Sequence, residues 1–500
     1  MNNNISEIEK RLFDGKTLAE WRKIDEAKRD AVYEEIRAKV GDDITDAIKD
    51  FYSLTTPDII DWLAGLYDPE VGGFYYSESG RDTIGYGPDI ESTGQALGIL
   101  QDLGLFDHVG GDVAKGTPEF MRAQISRFVK SLQHDNGFFY HPQWPKEFVD
   151  KYPSRRGRDL SWAVGLVRMG GLEPTYDTPE GAKGDGLLVD GTKVDAQGNG
   201  ESAALLSEME AEAKAKEKAL KTVPEFLRSE EALRAYLDTL DFKNSSYKCG
   251  NELVSQAGQI KHRENQLREE GADWSAVKIV EDYLNRFQNP ETGLWYWKNP
   301  GDEGYDLYGA INGMLKTAGV YNGIGIKLPN PLKACKAAIS GIYSEEIPIT
   351  VCFTYNSWLA LYFIFKNIRD NAENMDDAEE AINSIRKELM VDAINMIKAT
   401  KKKVMMFRKD NSACSYLVDM SCCTSQWMPV AIPKTNEADV NATVICSCET
   451  GAKMLQAFGL PVPPVFGRAE YYRFIELVKN HKPIVKSDNP NSEVKNRVWF

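Results

Sequence analysis

Four stretches of this 500-residue chain carry the same ordered set of features, and this internal repetition restricts the fold more than any other property of the sequence. Residues 72–104 read "GGFYYSESGRDTIGYGPDIESTGQALGILQDLG". Residues 132–144, "LQHDNGFFYHPQW", lead to "RDLSWAVGLVRMGG" at 158–171. Residues 287–300, "FQNPETGLWYWKNP", lead to "YDLYGAINGMLKTAG" at 305–319. Residues 407–419, "FRKDNSACSYLVD", lead to "ADVNATVICSCETGAKMLQAFG" at 438–459. In each copy a turn precedes an aromatic cluster and a loop, and then an aspartate opens a helix that closes near a glycine. Physically this is a helix–loop–helix unit with an Asp N-cap (Asp89, Asp159, Asp306, Asp439) and a Gly C-cap. The fourth copy is the loosest, with one tyrosine for the cluster. A fainter copy without the aspartate covers residues 349–368.

Further helices fall between the units, at 118–132, 275–287 and 377–400, and the first fifty residues read as three helices (around Leu12, Leu18, Trp21 and Ile24; 30–40; 44–52). No strand-rich region is present. The best hairpin signal is Asp190-Gly191 within residues 186–198. The expected fold is therefore all-α: a ring of helical hairpins with inner and outer helix layers, one domain over residues 1–500. Residues 172–250 read as an inserted loop or lid followed by a charged helix.

Composition narrows the partners. The net charge of −15, with no basic tract beyond residues 398–403, argues against nucleic acid. The most apolar run, residues 358–365, is too short to span a bilayer. The N-terminus lacks the apolar segment of a signal peptide, and the eight cysteines are expected to be reduced thiols, so a cytoplasmic location is expected. No oligomeric state is implied.

The repeat resembles the α/α-toroid superfamily of terpenoid cyclases and protein prenyltransferases, whose short motif is similar to Gly-Gly-Phe, a loop, then Asp-x-x-x-Thr and an apolar helix ending in Leu-Gly. Residues 72–104 match it nearly throughout. The resemblance implies a central aromatic-rich cavity and acid/base chemistry of the terpenoid-cyclase kind, a lyase or isomerase reaction on a small neutral or weakly anionic molecule. "DIEST" at 89–93 resembles the cyclase acid segment: Asp89 and Thr93 match, Glu91 stands at the protonating acid, and Ser92 replaces the last aspartate. The Asp, Cys and His zinc set of prenyltransferases is not matched by the five histidines, so no metal and no cofactor are expected.

Comparison between copies separates structural from functional residues. An aspartate in every copy answers a need of every copy, which is capping. Glu91, two residues on, is unique: the other copies have Ser161, Tyr308 and Asn441 there. Glu91 is thus the candidate acid/base, positioned by Asp89. Arg155, Arg156 and Arg158 precede Asp159 as an anchor for a substrate carboxylate or phosphate, with Trp162 beside them. Glu303 and Tyr305 form a second acid/base set, with Asp302 nearby. Tyr76, Phe139, Trp144, Trp295, Trp297, Tyr355 and Trp358 are candidates to line the cavity. Two alternatives remain: a cytoplasmic glycoside hydrolase or oligosaccharide/polysaccharide lyase using Glu91, Glu303 or Asp302, and a non-catalytic peptide- or protein-binding toroid.

Overall fold

A computed structural model describes residues 15–194 and 222–488. Helices take 59% of it and strands, isolated bridges included, 5%, which makes the protein all-α. The strands form two two-residue hairpins, Tyr67–Asp68 with Gly73–Phe74 and Thr424–Ser425 with Met428–Pro429. Among the described residues no helix is long and apolar enough to cross a membrane. The chain clusters into two compact units: residues 1–122 with 331–500, and residues 123–330.

The first unit holds the first and fourth copies of the repeat. Its N-terminal helix Leu18–Val40 is continuous where two helices were expected, because Ala27, Lys28 and Arg29 are good helix formers and no glycine or proline interrupts the run. The final helix, Arg468–Lys479, packs on Leu18–Val40 and on Asp58–Gly65, burying Trp21, Ala469 and Tyr472 together. Ala393–Phe407 packs on Asp42–Tyr52, and Cys352–Asp370 packs on Pro331–Tyr343 and Thr450–Phe458. The helix expected over 377–400 divides into Met375–Val391 and Ala393–Phe407, broken at Asp392 (φ −132°, ψ 31°).

The second unit holds the second and third copies. Phe242–Val254 lies against Leu307–Ile324, and the fit is close: a Cβ on Gly313 would stand 2.2 Å from Ser246 Oγ. This places the last part of the 172–250 insertion in a helix packed into the unit. Earlier in the insertion, Leu188 N donates to Thr192 O (2.8 Å) across the Asp190-Gly191 turn, as the hairpin signal anticipated. The charged helix expected from residue 201 falls, as far as residue 221, outside the described residues.

The turn of the repeat is built alike in all four copies. Tyr67 pairs with Phe74, Gln133 with Phe139 and Arg408 with Cys414. In the third copy Asn289 N donates to Leu294 O (2.8 Å), as His134 N does to Phe138 O (2.9 Å) and Lys409 N to Ala413 O (2.8 Å). Each turn needs one left-handed residue: Gly72 (φ 88°), Gly137 (φ 82°), Gly293 (φ 74°) and, in the fourth copy, Ser412 (φ 64°). Ser412 offsets the strain with its hydroxyl, which accepts from Thr56 N (3.0 Å) and Arg408 Nη2 (2.7 Å).

Two details of the repeat are corrected. The second-copy helix opens at Pro153, not Asp159, because a proline preorganises the first helical turn. Asp159 lies inside the helix and pairs with Arg155 one turn back. In the third copy Gly319 is mid-helix, and the helix ends at the left-handed Gly325.

Candidate functional site at the start of two sister helices

The Ile90–Asp102 helix is opened by Asp89, whose carboxyl accepts from Ser92 N (2.9 Å) and Ser92 Oγ (2.6 Å). The helical run 440–458 is opened by Asp439, which accepts from Ala442 N (2.8 Å) and from Tyr416 N (2.8 Å). Four residues on, a threonine ties the aromatic turn to its helix: Phe74 N donates to Thr93 Oγ1 and Cys414 N to Thr443 Oγ1, each at 3.0 Å. The Asp-x-x-x-Thr spacing is thus a staple, with the aspartate holding the helix start and the threonine holding the turn. The first and fourth copies share it, so the fourth is the closest structural partner of the first despite its sparse aromatics. The two copies also interlock, with Val440 N donating to Tyr76 O (3.0 Å).

Glu91 is 1% exposed. Its Oε1 accepts from Gln95 Nε2 (3.1 Å), and its Oε2 accepts from Ser425 Oγ (3.0 Å). Gln95 Nε2 also donates to Asn441 Oδ1 (3.0 Å), and Asn441 is the fourth-copy counterpart of Glu91. The position that differs between copies is therefore where the sister helices exchange side-chain hydrogen bonds. Ser425 comes from the hairpin Thr424–Ser425/Met428–Pro429, whose turn residues Gln426 (φ 47°) and Trp427 (φ 72°) are both left-handed. A type I′ turn requires this, and for a side chain as large as tryptophan it costs roughly 1–2 kcal/mol. That turn directly follows Ser425, whose hydroxyl is aimed at Glu91.

More acid surrounds this pair. Glu437, 3% exposed, accepts from Ser79 N (2.5 Å), Ser79 Oγ (2.7 Å) and Ser421 Oγ (3.0 Å). Burial raises its pKa, against the pull of the Ser79 hydrogen bonds. Burial likewise lifts Asp439 to about 7, although the Ala442 and Tyr416 amides favour its charged form. Tyr76 is buried beside Asp439, and among the described residues its hydroxyl has no partner in hydrogen-bond geometry.

The other expected site residues have surroundings of their own. Arg155, Arg156 and Arg158 are helical rather than a pre-helix loop. Arg155 is wholly buried, paired with Asp159 and stacked 5.5 Å from the Trp144 ring centroid; Arg156 bonds Asp150 and covers Phe138. Trp162 and Trp297 are exposed, at 36% and 52%. Glu303 is exposed and Tyr305 half-buried, edge-on to Tyr296, while Asp302 Oδ2 accepts from Asn299 N (2.7 Å). Phe139 is core, Trp295 Nε1 bonds Leu284 O (2.9 Å), and Trp358 Nε1 bonds Thr400 Oγ1 (3.0 Å). Tyr355, also buried, donates to Glu449.

Sequence reasoning missed Ser425, Gln95 and Glu437. Gln95 follows Glu91 at the i,i+4 spacing and was accessible on that ground; nothing in the sequence marks Ser425, which lies 334 positions from Glu91. Among the described residues no group of three or more His, Cys, Asp or Glu side chains is arranged to hold a metal. Compared with known protein families, characterised proteins and solved structures, the chain matches none.

Proposed function

We propose that the protein is an acid/base enzyme of the α/α-toroid type, acting on a small neutral or weakly anionic molecule through Glu91. The observation that carries this reading is the setting of Glu91: a buried carboxyl, unique among the repeats, oriented by a hydroxyl from a strained turn. Strained backbone that persists beside a reactive group is a feature of working sites more than of packing. Gln95 on the other oxygen fixes the carboxyl plane.

The toroid is supported by how the sister helices meet. Gln95 contacts Asn441, and a Cβ on Gly98 would stand 3.5 Å from Val444 Cγ2. Both pairs are 346 positions apart, so the two helices run parallel and in step, as neighbours in the inner layer of a ring do.

The test is a thermal-shift screen of small neutral and weakly anionic metabolites, followed by mass-spectrometric detection of products. Stabilising compounds that are converted to isomers or elimination products support the reading. Ligands bound but never converted would point to a binding protein.

A further inference from the structure

The first unit contains a cavity of about 460 Å³, and none of the residues around Glu91 lines it. Its walls are the helix Leu18–Val40, the end of the helix Asp42–Tyr52 and the segment 465–470 that enters the last helix. The walls are tied together. Arg29 Nη1 donates to Val465 O (2.8 Å), and Ala469 N donates to Asp25 Oδ2 (2.9 Å). A Cβ on Gly467 would stand 2.4 Å from the Asp25 carboxyl, so only glycine lets the segment come this close. Tyr33 lines the cavity and is 5% exposed, yet its hydroxyl forms no hydrogen bond with any described residue. A buried tyrosine hydroxyl ordinarily has a partner. The Lys49 ammonium sits 5.0 Å from the centroid of the Tyr33 ring, and Arg29 stands one helical turn before Tyr33. In a chain with a net charge of −15, neither cation forms an ion pair among the described residues. Two acids on the wall, Asp25 and Glu470, are engaged, by Ala469 N and by Arg22 (3.0 Å). The other two, Glu26 and Asp30, are exposed and form no ion pair among the described residues.

We propose that this cavity binds an α-amino acid with an apolar side chain, its carboxylate meeting Lys49, Arg29 and the Tyr33 hydroxyl and its ammonium meeting Glu26 or Asp30. Glu26 and Arg29 are three positions apart on one helix, which sets their Cβ atoms about 5–6 Å apart on the same face. At that spacing they could pair with each other; instead Arg29 turns to Val465 O, and both charges stay open to a ligand. An α-amino acid carries its ammonium and carboxylate on one carbon and suits such close neighbours, whereas the ends of a peptide lie further apart. The carboxylate takes the planar Arg29 fork through the nitrogens that Val465 leaves unused, with Lys49 as a point charge beside it. Val465 and Phe466 give the side chain an apolar wall. A phosphate meets Glu26 and Asp30 and is disfavoured. An amine without a carboxylate leaves Lys49, Arg29 and Tyr33 without partners.

Isothermal titration of the full chain with L-phenylalanine and L-leucine near pH 7 tests this. The comparators are 3-phenylpropanoate, which lacks the amine, 2-phenylethylamine, which lacks the carboxylate, and inorganic phosphate. The expected result is saturable binding of at least one amino acid, with every comparator weaker by roughly tenfold or more, the effect of losing a hydrogen bond to a charged group. Tyr33→Phe and Lys49→Met should each weaken binding roughly tenfold for the same reason, and Glu91→Gln should leave it unchanged. Absence of saturable binding to both amino acids, equal binding of any comparator, or unaltered binding by both Tyr33→Phe and Lys49→Met would each overturn the proposal. Loss of binding in Glu91→Gln would move the amino acid to the other site and overturn it too. Circular dichroism confirms that each variant is folded. Tyr33→Phe removes only the hydroxyl oxygen and carries the test if Lys49→Met does not fold.

Discussion

Replacing Asp102 with asparagine should stabilise the protein at pH 8 and change it little at pH 4. Burial beside Glu449 lifts the Asp102 carboxyl from its ordinary 3.8 to about 7. A carboxyl with a raised folded pKa binds more protons in the folded than in the unfolded chain between those values. Stability therefore falls as pH rises from about 4 to about 7, and the loss persists above. Three pKa units correspond to an upper bound of ~4 kcal/mol. Asp102 is only half-buried, so water screens part of this and about 2 kcal/mol is the working figure. Asparagine keeps the shape and has no charge to desolvate, so it recovers that amount at pH 8 and nothing at pH 4. The shift in melting temperature should be roughly 2–3 °C at pH 8 for a unit and chain of this size. The assay is thermal unfolding of both proteins by calorimetry at intervals from pH 4 to pH 8. Melting temperatures that stay parallel across the range would refute the reasoning, because they would show that Asp102 titrates normally.

Four further outcomes follow from the repeat and the acid cluster. Gly137→Ala should lose on the order of 3 kcal/mol or fail to fold, since its Cβ would lie 2.2 Å from Asp177 O at a positive φ; urea unfolding measures this. Ser412→Gly should not gain the stability expected of glycine at a left-handed position; losing the hydrogen bonds from Thr56 and Arg408 should leave it about 1 kcal/mol less stable in the same assay. Thr93→Val should cost about 1–2 kcal/mol by orphaning the Phe74 amide, with hydrogen exchange at Phe74 accelerated as the specific sign. Ser425→Ala should cost about 1.5–3 kcal/mol, because a buried carboxylate loses one of its donors, and should lower turnover of the eventual substrate without changing the fold.

Much of the local architecture could be read from residue order alone. Asp89, Asp306 and Asp439 cap their helices, and the turn residue of every copy is left-handed, because capping and left-handed turns are short-range demands. Asp159 misled because it occupies the capping place in an alignment while Pro153, six residues earlier, starts the helix. The candidate site was half legible. Glu91 stood out as the one carboxyl that differs between copies, but its partner Ser425 is far along the chain and is brought in by a two-residue hairpin. The tryptophans gave the weakest signal, since core packing and pocket lining use the same side chains, and Trp295 and Trp358 proved to be hydrogen-bonded core residues.

The central claim is that Glu91 transfers the proton, and steady-state kinetics of Glu91→Gln on the compound identified by screening tests it most directly. Glutamine keeps the size and can still bond Ser425 and Gln95, so the variant should fold and bind the compound with nearly unchanged affinity. Its kcat should fall by roughly 10²–10⁴-fold, the usual contribution of a positioned acid or base. A folded Glu91→Gln protein with unchanged kcat would contradict the account and reduce Glu91 to a link between two sister helices.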